Sequence, residues 1–248
     1  MTQTQTHFAA WHRWDRALYI GFVIVAWFAV YKGFGAPITA RFTGKADYPA
    51  PLALVVHVWS FFGWLTLLTL QVALINARRT DLHKLLGLSA ALLIPVMVIS
   101  ALAAEVYSQH FHAAARPENA RFFIIPLSIT LMFAVVATAA LLQRKQPSAH
   151  KRLILIATAL LLMVAFGRWW GPMIIGALGD TMLADFVTNA AGMDLLVGIA
   201  MAHDLATRGR LHRVYVIAMP PIVAVQLLSA WIYHTDWWPV LVRQMLGL

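Results

Sequence analysis

Residues 52–76 read LALVVHVWSFFGWLTLLTLQVALIN, and ARRTDLHK follows directly at 77–84. His57 is the one ionisable side chain in the first segment. A helix needs about 20 mostly apolar residues to cross the hydrocarbon of a bilayer, and this run supplies them without an Asp, Glu, Lys or Arg. Working outward, six further stretches of the same kind stand at 17–35, 84–106, 122–143, 151–178, 182–207 and 213–235. The expected fold is all-α: a polytopic membrane bundle of seven transmembrane helices in a single transmembrane domain. The count would be six if 17–35 lay elsewhere, and eight if 237–248 re-entered the membrane. Seven is favoured.

Composition agrees. Apolar residues make up 61% of the 248-residue chain and charged residues 12%, with a mean hydropathy of +0.72. A soluble domain carries about twice that charge, so a soluble enzyme is excluded. The absence of cysteine excludes disulfides, thiolate metal sites and cysteine nucleophiles. The net charge of +9 reads as membrane topology and not nucleic-acid binding, because Lys and Arg sit in short loops between apolar spans. Residues 1–16 are polar, and no small-residue cleavage site follows the long apolar stretch after them. That stretch is therefore read as a first span and not as a signal peptide.

Orientation follows from the Lys and Arg bias. With the N-terminus inside, the inner side carries Arg13, Arg16, Arg78, Arg79, Lys84, Arg144, Lys145, Lys151, Arg152, Arg208, Arg210 and Arg213. The outer side carries Lys32, Arg41, Lys45, Arg116, Arg121 and Arg243, and Arg168 lies within a span. The expectation is N-in and C-out, with anionic lipid head groups met by the basic inner face. Trp11, Trp14, Trp169, Trp170, Trp237 and Trp238 fall near span ends, where amphipathic rings sit. The two longest loops, 36–51 and 107–121, are about 15 residues each, so function must reside in the bundle or at its rims.

The inner loops repeat a pattern of a basic cluster, a histidine, and Lys or Arg opening the next helix. Arg78-Arg79 leads to His83-Lys84, Arg144-Lys145 to His150-Lys151-Arg152, and Arg208 and Arg210 to His212-Arg213. This predicts three helical hairpins, spans 2–3, 4–5 and 6–7, beside the first helix. The positive-inside rule accounts for the arginines and lysines, but neutral imidazole contributes little to topology. His83, His150 and His212 are therefore candidate metal ligands, and with His203 they form an inner cofactor-binding set suited to a divalent metal or a haem b iron. A second set gathers toward the outer ends of spans: His57, Glu105, Arg168 and His234. A carboxylate, a guanidinium and an imidazole at similar depth have the means to form a buried polar network. Near the midplane stand Asp194 on span 6 and Gln226 on span 7. An unpaired Asp at that depth costs a few kcal/mol, so it should face the bundle and be protonated or paired. A retinal protein would need a lysine in the last span, and 213–235 has none. The prolines at 95, 126, 172 and 220–221 do not match between halves, as an inverted-repeat transporter would require.

Two stretches resemble a family of uncharacterised bacterial inner-membrane proteins with seven spans. One is His57-Val-Trp-Ser with Gln71 and then Asp81-Leu-His83-Lys-Leu-Leu-Gly87; the other is His150-Lys-Arg-Leu-Ile-Leu-Ile-Ala-Thr158 followed by Arg168. The likeness covers spans 2 to 7 and implies the fold and a bacterial inner-membrane address, with no activity attached. A fainter likeness is to the transmembrane cytochromes b with two haems, which also place histidines at both ends of a bundle. It implies an inner haem held by His83 and His150. Span 4 departs from that pattern: it has no histidine to pair with His57, so His234 or His110 would have to serve an outer haem. The leading expectation is an integral inner-membrane protein with a histidine-lined polar site, a candidate haem- or metal-dependent redox component. The alternatives are a scaffold or assembly subunit that binds a membrane-protein partner, and a small-molecule or proton-coupled carrier.

Overall fold

The computed structural model describes residues 8–46 and 48–248; Met1–His7 of the polar N-terminal segment and Asp47 lie outside the described residues. The helices are α1 (Asp15–Phe42), α2 (Leu52–Asn76), α3 (Thr80–Gly87), α4 (Ala90–His112), α5 (Ile124–Leu142), α6 (Pro147–Leu178), α7 (Met182–Arg208), α8 (Arg213–Tyr233) and α9 (Trp237–Leu246), with a 3-10 turn at Pro117–Phe123 before α5. Among the described residues, seven helices are long and apolar enough to cross a membrane, α3 and α4 together making the third. The protein is an integral membrane bundle whose apolar outer side chains face lipid. The end where α1 begins is called the N face below, and the end where α8 finishes the C face.

Helix ends differ from expectation in several places, α4 running on to His112 and α6 starting at Pro147 among them. The first helix runs past Gly35 to Phe42 because the φ of Pro37 is itself helical and only one backbone bond is lost. It stops at Gly44, whose φ of +71° takes the left-handed conformation that glycine adopts without strain. The third span starts at Thr80, not Lys84, as a short surface turn of helix. There the backbone tightens, Leu88 bonding to Leu85 and Ser89 to Leu86, before α4 resumes at Ala90. The C-terminal segment adds no eighth crossing. At ten residues α9 is too short to cross, and it lies on the C face against the 3-10 turn. Trp238 donates to the Arg121 carbonyl at 3.2 Å, and Arg121 pairs with Asp236 at 2.9 Å. The turn between α6 and α7 is as tight as expected: Gly179 takes a φ of +73°, and Thr181 Oγ1 accepts the Ala184 N–H to cap α7.

The most buried helix is α6, with α1, α5 and α7 packed around it. Lipid tails offer no hydrophobic gain to helix association, so close packing of small residues takes its place. Ala26, Ala29 and Gly33 of α1 are buried at helical spacing, and a Cβ on Gly33 would lie 2.4 Å from the Ala165 carbonyl oxygen. On α7, a Cβ on Gly192 would lie 2.3 Å from the Phe166 ring. These contacts hold three helices at a separation that larger side chains would forbid. The expected hairpins all form, but α6 against α7 and α1 against α6 are also close packings, so the bundle is organised around α6 and not as three independent pairs beside α1.

Candidate functional site

Two helix faces carry the site. His57, Trp64 and Gln71 recur every seventh residue of α2, nearly two full turns, and so share one face. His150 and Arg168 of α6 are about five turns apart and also share a face. The helices meet at mid-depth, where Trp64 Nε1 donates to Thr158 Oγ1 at 3.1 Å and the Trp64 ring packs edge-on to Phe133. That contact divides the polar residues into a C-face group and an N-face group.

The C-face group contains His57, Glu105 and Arg168, from α2, α4 and α6. Arg168 lies within electrostatic reach of both others, yet among the described residues its guanidinium makes no hydrogen bond and no ion pair. Its recorded contact is with the Phe34 ring of α1, 5.0 Å away. His57 Nδ1 is buried without a hydrogen-bond partner. Glu105 accepts a 2.7 Å bond from Gln109, a neighbour on its own helix. Below them Ser60 and Ser100 face each other at 3.5 Å. The expected outer set is thus brought together except for His234, which belongs elsewhere.

The N-face group contains Gln71, His83 and His150. The two imidazole rings stand 6.5 Å apart at 82°. His150 Nδ1 lies 2.8 Å from the Ala140 carbonyl, which assigns the proton to that nitrogen and leaves Nε2 as the acceptor. His83 Nδ1 and both amide atoms of Gln71 are buried without partners. The His83 ring lies against the Gln71 backbone, and the Gln71 amide sits over Gly87, where a Cβ would be 3.4 Å away.

The expected metal set His83, His150 and His212 does not converge among the described residues. His212 is buried beside the Phe8 ring, 4.6 Å away edge-on, and its Nδ1 accepts the Val214 N–H as the N-cap of α8. Burial, reinforced by Arg152, pushes its imidazole down to about 4, and the cap itself requires the unprotonated nitrogen.

His203 joins an ion network that the sequence did not disclose. Arg152 grips Asp204 with two bonds, one of them Nε to Oδ2 at 2.7 Å. Arg208 reaches Asp15 at 2.7 Å and Asp204 at 3.3 Å, and Lys151 reaches Asp15 at 2.5 Å. His203 Nε2 stands 3.3 Å from Asp15 without hydrogen-bond geometry. Lys151 and Arg208 also donate to the carbonyls of Ala10 and Ala9, pinning the segment before α1 across the N face. The network links residues 52 to 193 positions apart. Its one local sign was the four-residue spacing of Asp204 and Arg208 on one helix face.

A third polar set lies between α7 and α8. Gln226 Nε2 donates to Asp194 Oδ1 at 3.2 Å, so the midplane Asp is paired across helices as expected, while Gln226 Oε1 stays buried without a partner. A narrow crevice with room for little more than one water runs from Gln226 past Ser128, Ser229 and Asn189 to Asp185. Asp185 meets His234 at 2.6 Å. With Asp180 these form the one grouping of His, Asp or Glu among the described residues whose donor atoms all lie within 4.8 Å of one another.

No protein-family model, curated protein or solved structure matches the chain.

Proposed function

We propose that the protein is a multi-pass carrier of the bacterial inner membrane, N-terminus inside, that takes a small carboxylate into the C-face group together with a proton. One observation carries this reading: a guanidinium, an imidazole and a carboxyl from three helices converge at the depth of a membrane span, and among the described residues the guanidinium has no hydrogen bond or ion pair. Arg168 is exposed on the protein's own surface, and a cation without a partner at membrane depth is costly and marks a place where a substrate or ion completes it. Arg168 presents a planar fork that matches a carboxylate through two parallel bonds. His57 Nδ1 offers a further hydrogen bond. Glu105, when ionised, competes with an incoming anion for Arg168; when protonated, it releases Arg168 and adds a donor. One proton and one monoanion then load together without net charge.

The rest of the column fits the reading. The Trp64–Thr158 contact closes the path below the C-face group, and the pinned N-terminal segment covers the N face. The basic bias of the loops supports a cytoplasmic N face, with exposed Arg78, Arg79, Arg144 and Lys145 turned toward anionic head groups. Membership of the uncharacterised seven-span bacterial family belongs to the same proposal: the residues that carry the resemblance, His57, Gln71, His83, His150 and Arg168, line the two groups.

The test is uptake of radiolabelled acetate, lactate and succinate into proteoliposomes, with and without an acid-outside pH gradient. The expected result is uptake of at least one of them that the gradient drives and Arg168→Gln abolishes. Glu105→Gln should retain binding and lose the dependence on the gradient. No uptake above empty liposomes for any of the three, or uptake unaltered in Arg168→Gln, overturns it.

A further inference from the structure

The N-face group takes no part in anion loading, yet it gathers more unsatisfied polar atoms than any other place among the described residues. His83 Nδ1, Gln71 Nε2 and Gln71 Oε1 are all buried without a partner. Each such group costs about 1–3 kcal/mol if nothing meets it. The three are held by two segments, the end of α2 and the short α3, and the His150 ring at the start of α6 stands 6.5 Å from that of His83.

We propose that Gln71, His83 and His150 form a binding site for a borderline transition-metal ion of the zinc class. The donor chemistry is two imidazoles and an amide oxygen, with room in the coordination shell for a water. On the His150 side the second shell is already present. Metal-bound histidines give their other ring nitrogen to a carbonyl or carboxylate, which fixes the tautomer and turns the free nitrogen to the ion. His150 does this through Nδ1 on Ala140, and the His83 ring lies against the Gln71 backbone. Two imidazoles on one tetrahedral zinc, with bonds of about 2.0–2.1 Å, place their ring centroids about 5 Å apart. The rings here are at 6.5 Å and nearly perpendicular, so a small change of side-chain torsion brings both nitrogens onto one ion. Gly87 makes space for the Gln71 amide, whose two ends are equally unpaired, so it is free to turn its oxygen inward. His212, one of the ligands expected from sequence, is committed to its cap; Gln71 takes its place. The site stands whether or not the C-face group loads an anion.

The test uses the full chain in detergent, stripped with chelator and dialysed. Zn²⁺ is added and followed by calorimetry, and Co²⁺ by its visible absorption. The wild type should bind one equivalent of Zn²⁺ more than the His83→Asn/His150→Asn variant, and the Co²⁺ spectrum should be that of a four-coordinate nitrogen-ligated ion. Gln71→Leu, which removes no hydrogen bond and fills its own space, should weaken that equivalent about tenfold or more. His212→Ala and His234→Ala should leave it in place, which separates it from the Asp180–Asp185–His234 grouping. Equal zinc stoichiometry and affinity in the wild type and the double-histidine variant, or in the wild type and Gln71→Leu, overturns the proposal.

Discussion

The two ends of the bundle use the same chemistry to opposite effect. At the N face, Asp15 and Asp204 are each held by two of the three cations Lys151, Arg152 and Arg208, with Arg152 and both aspartates almost fully buried. At the C face, Glu105 and Arg168 stand within electrostatic reach and form no ion pair. A matched buried network holds helices in register, and breaking one member exposes the cost of the other. An unmatched group adds nothing to the fold and is a place for something else to bind. The contrast assigns stability to one end and ligand chemistry to the other.

The sharpest way to break the comparison is Asp204→Ala. It strips Arg152 of both its carboxylate bonds and Arg208 of one. Removing one partner of a buried pair costs about 3–5 kcal/mol, to be read from thermal unfolding in detergent by tryptophan fluorescence. Replacing the pair together, Arg152→Met with Asp204→Leu, should recover most of that loss. A single variant as stable as the wild type would mean that the network does not hold the N face.

Next in size is Gly33→Ala, which sharpens the comparison at its other end. The added Cβ meets Ala165 backbone, not a side chain that could swing away, so α1 must shift off α6 at a cost of about 1–3 kcal/mol. Phe34, the next residue, lies against Arg168, so the variant should weaken carboxylate binding as well as the fold. Gly21→Ala, where the added carbon meets nothing, is the control.

A fall in pH should loosen the N face. His212 is held down to about 4 by burial and by Arg152, against about 6.5 in an unfolded chain. The unfolded chain therefore binds a proton first. The stability that the neutral ring contributes is complete above about 6.5 and is lost as pH falls through the window to about 4. The loss is of the order of 2 kcal/mol, and His212→Asn, which keeps a capping oxygen, should flatten it. An unchanged unfolding profile between pH 7 and pH 4 would show that the cap does not depend on the neutral imidazole.

These differences were only partly legible in the chain itself. The spans were, because a run such as 52–76 without a formal charge has few other uses, and the approach of His57, Glu105 and Arg168 followed from their common depth. Depth does not give azimuth. His234 shares the depth of Arg168 but faces α7 and meets Asp185; His212 shares the loop pattern of His83 and His150 but turns inward to cap its own helix. Asp15 stood in a polar N-terminal stretch with no visible partner, since Lys151 and Arg208 come to it from 136 and 193 residues away. Gln71 stood out only as part of a resemblance. Its importance lies in having no partner, which no local pattern reports.

The smallest expected effect on stability is the most telling. Arg168→Gln removes a charge that makes no hydrogen bond and no ion pair among the described residues. It should lower the unfolding free energy by no more than about 0.5 kcal/mol, as for a substitution away from any structural contact, and losing an unpartnered charge acts in the stabilising direction. The retained side chain still covers part of Phe34, and the lost charge no longer has to be desolvated. At the same time the variant should bind no carboxylate, because a neutral amide offers neither the fork nor the charge. A fold untouched and a binding function gone is the signature of a residue kept for its ligand. A large loss of stability instead would place Arg168 with Arg152, in a network whose partners are structural, and the distinction between the two ends of the bundle would fail.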